Sequence, residues 1–210
     1  MKPLLSVTDH LVFAAPDLQQ GIRAVEALTG VTAAVGGHHP LWRTRNALLA
    51  LGPRLYLEVV GPDSTPSDAA NARPFGIDTL KAPRLVTWAV RSEALEETVS
   101  ASTDVGVDLG SVQQGSRTTP GGTVLRWRMT DLAKHREHGA VPFFIDWGDT
   151  PHPALGAPPG CILEGLRISH PDAERITHIL GRLGVALVAE KGPLALGAMI
   201  LSPLGRVALG

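Results

Sequence analysis

Short apolar runs alternate with polar, Gly- or Pro-rich breaks along the chain, and they recur in a fixed order. LSVTDHLVFAA (5–15) is apolar and predicts a β-strand. PDLQQGIRAVEALTG (16–30) switches to a helical period: Ile22, Val25, Ala27 and Leu28 form an approximate stripe, opened by Pro16 and Asp17 and closed by Gly30. GGHHPLW (36–42) reads as a loop. TRNALLALG and RLYLEVVGPD follow as two strands that turn at Gly52-Pro53. Residues 62–83, rich in Pro, Ser, Asp and Ala, read as a connector.

The order then returns. RLVTWAV (84–90) is a strand and RSEALEETVSASTDVG (91–106) a helix. VDLGSVQQGSR is irregular or weakly strand-like, GGTVLRWRMT and AVPFFIDWGD are strands, and the polar TDLAKHREHG between them is a loop. A third, shorter round follows: LEGLRISH (163–170) as a strand, PDAERITHILGRLG (171–184) as a helix, and ALVAEKG, LGAMILSP and RVALG as three more strands. Repetition at about 75 residues means that one supersecondary unit builds the whole chain. The expected class is therefore α+β. Two βαβββ modules, about 5–63 and 84–149, share a domain over 1–153, and a C-terminal βαβββ-like module over 154–210 packs on it. That third unit is unpaired. Its strand edges and apolar face need cover, from the first two modules or from a second copy in a homodimer.

RLYLEVVGPD places Glu58 inside an apolar strand. Burying an unpaired charge costs several kcal/mol, so such an acid is paired, metal-bound or protonated. Aligning LYLEVVGPD with FFIDWGD puts Asp146 opposite Glu58. Aligning HLVFAAPDL with LVTWAVRSEAL puts Leu85 opposite His10 and Trp88 opposite Phe13.

A repeated βαβββ unit with a His on its first strand and an acid on its last resembles the vicinal oxygen chelate superfamily of glyoxalases, extradiol dioxygenases and bleomycin-resistance proteins. The nearest likeness is to its glyoxalase-like domain proteins. It rests on TDHLVFAAPDL, GGHHPLWRTRNALLALGPRLYLEVVGPD, the WAVR strand, SRTTPGGTVLRWRMT and VPFFIDWGDTPHP, together spanning roughly residues 7–153. The resemblance implies paired modules curved into a half-open barrel around a cavity. It also implies metal ligands at His10, Glu58, Leu85 and Asp146. Leu85 cannot ligate, which leaves one His and two carboxylates, a set suited to Mn, Fe(II), Ni or Zn with open positions.

Composition narrows the partners. Lys plus Arg is 19 against 20 for Asp plus Glu, so no global basic field exists to hold nucleic acid or an anionic membrane. No apolar run reaches the length of a membrane span, and the N-terminus lacks the pattern of a signal peptide. The single cysteine, Cys161, excludes an internal disulfide, fits a reducing cytoplasm, and reads as a buried structural thiol. The partner that remains is a small molecule.

Several side chains are candidates to bind it. In TVLRWRMT, alternation sets Arg126 and Arg128 on one face and Leu125, Trp127 and Met129 on the other. Facing inward, the arginines make an anion site that Arg117 joins from its loop; facing outward, they are a solvated surface. His38 and His39, beside a Gly pair, either cover the cavity mouth or form a polar surface loop. Asn46 either binds a substrate oxygen or serves a turn. The four tryptophans, Trp147 among them, are material for an aromatic pocket. His152 and His170, next to prolines, read as turn residues, and His135 and His138 as solvated.

Three functions compete. A metal-dependent lyase, isomerase or dioxygenase would use Glu58 or Asp146 as ligand or catalytic base. A metal-free binding protein of the bleomycin-resistance type would explain the missing fourth ligand. A cofactor-free enzyme would use Glu58 as a general base.

Overall fold

The computed structural model describes residues 2–64, 73–134 and 136–210. The first module comprises β1 (Thr8–Ala14), α1 (Leu18–Thr29), β2 (Ala34–His39), β3 (Thr44–Gly52) and β4 (Leu55–Pro62). The second comprises β5 (Arg84–Arg91), α2 (Leu95–Thr103), β6 (Val112–Thr118), β7 (Val124–Thr130) and β8 (Phe143–Asp146). The third comprises β9 (Ile162–His170), α3 (Ala173–Arg182), β10 (Ala195–Ser202) and β11 (Gly205–Leu209).

Each helix of the first and third modules starts where sequence chemistry puts it. Asp17 accepts the Gln20 amide at 2.8 Å, and Gly30 ends α1 in a left-handed conformation at φ 74. Leu18, Ile22 and Val25 then form the buried stripe. Asp172 caps α3 in the same way through the Arg175 amide. GGHHPLW departs from expectation: residues 34–39 form strand β2, and only Pro40–Trp42 turn. Glycines and histidines give no apolar alternation, so the strand leaves no periodic trace.

The strands of the first two modules close into a barrel in the order β1-β4-β3-β2-β6-β7-β8-β5. Each module contributes its strands as first, last, third, second, so the two halves mirror one another. The two seams between them are unequal. Along one, β1 and β5 pair antiparallel from Thr8↔Val90 to Ala14↔Arg84. Along the other, β2 and β6 meet through the single pair His38↔Thr118.

Alternation sorts the side chains of the barrel into two clusters. Leu11, Phe13, Leu57, Val59, Leu85 and Trp88 face outward into a core shared with the helices and with Ile168, Ile176 and Ile200 of the third module. Val12, Ala14, Tyr56, Val60, Trp127, Met129, Ile145 and Trp147 face inward. The third module's sheet, β9-β10-β11 with the short Glu190–Lys191 strand at its edge, thus covers the outside of the barrel. Leu85 lies in the outer core, not on the cavity wall, so the position aligned with His10 is no ligand vacancy.

A turn at 137–139 ties the second module to the third. Glu137 and His138 adopt left-handed conformations at φ 49 and 53, and Gly139 at φ 94. The turn brings the Ala140 carbonyl to Trp88 Nε1 at 3.3 Å, and Glu137 Oε1 to Arg175 at 2.7 Å.

Candidate functional site

The barrel encloses a cavity of about 490 Å3 including its mouth. Its polar groups are His10, His39, Thr44, Asn46, Tyr56, Glu58 and Arg117, and its walls include Trp42, Phe75, Trp127, Phe143 and Trp147. Of the candidates read from the sequence, His10, His39, Asn46, Glu58, Arg117 and Trp147 meet here.

Glu58 reaches the cavity because it shares the inward face of β4 with Tyr56 and Val60. Its Oε1 accepts a hydrogen bond from Asn46 Nδ2 at 2.6 Å, and its Oε2 lies 3.8 Å from His10 Nε2. Asn46 comes from β3, one strand over, and is 2% exposed. It therefore positions the carboxylate rather than capping a turn. A glycine at 36 is needed beside it, since a Cβ there would stand 2.4 Å from Asn46 Oδ1.

His10 is 2% exposed and stacks on Tyr56, with ring centroids 4.6 Å apart and planes at 19°. Its Nδ1 lies 2.7 Å from Asp9 Oδ1. Asp9 is fully buried and takes further hydrogen bonds from His152 Nε2 at 3.1 Å and Trp147 Nε1 at 3.2 Å. Arg91 Nη1 stands 4.0 Å from its other oxygen. Burial alone would push the Asp9 pKa up, but the hydrogen bonds from His10 and His152 outweigh it and hold Asp9 well below the usual carboxylate range. His152 does serve a turn, accepting the Ala154 amide at 3.3 Å, yet its other nitrogen makes it part of the buried network. Asp9 carries no mark in the sequence, and His152 reads there only as a turn residue.

Arg117 is 6% exposed and donates through Nη1 to the Gly36 carbonyl. Burial lowers its pKa, while Tyr56 and Glu58 nearby oppose that shift. Among the described residues, the cavity lining thus carries one carboxylate, Glu58, and one guanidinium, Arg117. His39 is buried beside them, its Nδ1 3.1 Å from Thr44 Oγ1. Burial, helped by Arg117, His38 and His10 and opposed by Glu58, lowers its pKa from 6.5 to about 4. The folded protein therefore holds His39 neutral while the unfolded chain protonates it between pH 6.5 and about 4. This contribution to stability is complete above pH 6.5 and is lost as pH falls through that window. It amounts to about 3 kcal/mol at most, at roughly 1.36 kcal/mol per pH unit. Urea unfolding between pH 7 and 4 is expected to show this slope in the wild type and a shallower one in His39→Gln; parallel curves would refute the assignment.

The other candidates lie elsewhere. Arg126 and Arg128 face away from the cavity, opposite Leu125, Trp127 and Met129; Arg126 is exposed and Arg128 half-buried. Asp146 also faces out: Arg128 Nη2 binds it at 3.1 Å and Glu96 of α2 at 2.8 Å through Nη1. Ile145 takes the inward place. The repeat alignment is thus off by one residue, and one residue turns every side chain of a strand to the opposite face. His38 likewise points away from the cavity and pairs with Asp63 at 2.6 Å. His170 accepts the Asp172 amide at 3.0 Å beside the start of α3, as its turn reading expects, and His138 is exposed. His135 lies outside the described residues. Cys161 is buried, which raises its thiol pKa and fits a structural role.

The metal set implied by resemblance does not assemble. His10 and Glu58 converge, but Asp146 is on the far side of the sheet. Among the described residues no group of three or more His, Cys, Asp or Glu is arranged to hold a metal ion, and the Arg117 guanidinium shares the cavity. Nor, among those residues, is any helix long and apolar enough to cross a membrane.

Comparison with known proteins supports the fold. The family described as a glyoxalase-like domain matches residues 8–184. No curated protein matches. A hypothetical protein from Staphylococcus aureus superposes with a TM-score of 0.65 at 12% identity, covering 96% of this chain and 83% of its own. Methylmalonyl-CoA epimerase from Mycobacterium tuberculosis gives a TM-score of 0.42 at 17% identity, covering 69% of this chain and 89% of its own. A Streptomyces coelicolor methylmalonyl-CoA epimerase variant, in complex with 2-nitronate-propionyl-CoA, gives 0.45 at 15% identity, covering 70% of this chain and 97% of its own. With the family matched over most of its length, the chain belongs to the glyoxalase-like domain family.

Proposed function

We propose that the barrel cavity is the active site of an enzyme that moves a proton on a small oxygenated metabolite, as an isomerase does, with Glu58 as the general base. The observation that supports this most directly is the setting of Glu58. It is a carboxylate on the wall of an aromatic cavity, anchored at one oxygen by Asn46 and with the other beside His10. A base held in one orientation removes a proton from carbon with little reorganisation. Arg117, in the same cavity, suits a substrate with a carboxylate or another small anionic group. The chemistry is the removal of a C–H proton next to a carbonyl. The bond pair moves into the enolate, the proton sits on Glu58, and return of the proton completes the turnover.

Pyruvate and hydroxypyruvate are small carboxylates with such protons. Wild-type protein in D2O is expected to speed exchange of their C–H protons for deuterium, followed by NMR. Glu58→Gln keeps the shape and the Asn46 contact but removes the base, and it is expected to lower the exchange rate by about 10²–10⁴-fold, the usual weight of a general base. Parallel runs with Mn, Fe(II), Ni or Zn examine the metal-dependent form of the same reaction. An unchanged rate in Glu58→Gln would sink the assignment.

The alternative is capture without turnover. Its support is the wall where Trp127 lies 6.3 Å from Trp42 at 25° and 5.2 Å from Trp147, a surface for a planar ligand. Equal ligand affinity in wild type and Glu58→Gln, with no exchange in either, would favour it.

A further inference from the structure

Asp9 and His10 are neighbours on one strand, and neighbours on a regular strand point to opposite faces. Here they hydrogen-bond to each other at 2.7 Å. The reason is a β-bulge. Across the seam, Thr8 pairs with Val90 and His10 with Ala89, so Asp9 is an extra residue with no partner in the ladder. Bulges re-aim side chains, and they recur beside active sites.

Re-aimed, Asp9 collects N–H groups from three parts of the chain. His10 comes from the same strand, Trp147 from the end of β8, and His152 from the loop that follows. Arg91, 4.0 Å away, is itself fixed by the carbonyls of Thr8 at 2.8 Å and Ser6 at 2.5 Å. No water-exposed surface is left on the carboxylate, which is 0% exposed. A fully enclosed acid with this many donors is costly to build for packing alone. Its effect on His10 is specific: an ionised carboxylate can only accept, so the 2.7 Å contact favours the proton on Nδ1, and Nε2 lies on the Glu58 side of the ring, 3.8 Å from Oε2.

We propose that Asp9 and His10 form a proton-transfer dyad next to Glu58, in which Asp9 is the positioning residue and His10 exchanges a proton with a substrate oxygen. The proposal rests on the reading of Glu58 as the base for a carbon-bound proton. In the step assigned to His10, the O–H bond of a substrate hydroxyl breaks and its proton forms an N–H bond at Nε2. The bonding pair stays on oxygen, and the positive charge on the ring lies against the Asp9 carboxylate. Return of the proton to an oxygen of the product restores the neutral ring. Stacking on Tyr56 keeps the ring plane fixed through both steps.

The test combines a tautomer measurement with kinetics. In protein labelled with 15N-histidine, the resonances of His10 are assigned by their loss in His10→Gln. The neutral ring is expected to carry its proton on Nδ1 in wild type and to shift to the Nε2–H form in Asp9→Asn. A wild-type ring protonated on Nε2 would overturn the proposal whether or not Asp9→Asn folds. In the exchange assay, Asp9→Asn is expected to lower kcat for hydroxypyruvate by about 10²-fold with KM within about twofold, and to lower kcat for pyruvate, which has no hydroxyl, much less. An equal loss on both probes, or a loss confined to KM, would mean that Asp9 supports only the fold. Wild type inactive on both probes counts against the reading of Glu58, and the tautomer result then decides the dyad alone.

Discussion

Replacement of Asp9 by Ala is expected to destabilise the protein by about 3–5 kcal/mol, the usual cost of removing one partner from a buried charged network. The loss is not that of one hydrogen bond. His10 Nδ1, His152 Nε2 and Trp147 Nε1 all lose the same acceptor, and each stays buried. An unsatisfied buried donor costs about 1–3 kcal/mol, and the cavity left by the carboxylate adds to it. Asp9→Asn keeps the volume and one acceptor oxygen, so it should fall between Ala and wild type. Urea denaturation of the three proteins at pH 7 measures this order. Asp9→Ala within about 0.5 kcal/mol of wild type, the range of ordinary surface changes, would show that the network contributes little.

The second large effect is expected at Gly139. Its φ of 94 is a conformation that L-residues avoid, and a Cβ built there would lie 1.9 Å from the Val86 carbonyl oxygen. That oxygen belongs to β5, so neither the turn nor the strand can yield cheaply. Left-handed strain of about 1–2 kcal/mol and an overpacking term of about 1–3 kcal/mol give a cost of about 2–5 kcal/mol for Gly139→Ala. Gly122 is the natural control, with φ 84 and nothing within 4 Å of the place its Cβ would take. Gly122→Ala is expected to carry the backbone strain alone. Thermal unfolding of the two variants separates the terms, and equal shifts would refute the steric contribution.

The architecture was largely legible in the chain, because two periods carried it. Ile22 and Val25 on α1, and the apolar runs of β1, β3 and β4, are buried where their spacing placed them. Strand β2 was not legible, since Gly36, Gly37, His38 and His39 have no apolar rhythm. The site was legible in part. Glu58 stood out because a charge in an apolar strand needs a reason, and His10 because of its place in a repeated unit. Asp146 misled because matching acid to acid in FFID and LYLE fixes the alignment of the strings, whereas the pleat puts Ile145, not Asp146, on the inward face. Asp9 gave no warning: a bulge depends on how the neighbouring strand pairs, and that strand, β5, begins only at Arg84. His152 was visible only as a residue between two prolines, with its use fixed by the distant partner it meets.

The inequality of the two seams has a consequence for how this barrel accepts change. Joined firmly at β1 and β5 and by one pair at β2 and β6, the two halves resemble a book bound along one edge. His10 and Asp9 lie in the binding, and Glu58 one strand from it. His39 and Arg117 lie at the loose edge, adjacent to the clasping pair. Substitutions at the loose edge are expected to widen or reshape the cavity while leaving Asp9, His10 and Glu58 in place. On the proposed function, the groups that move protons thus lie along one seam, and the Arg117 anion site lies along the other.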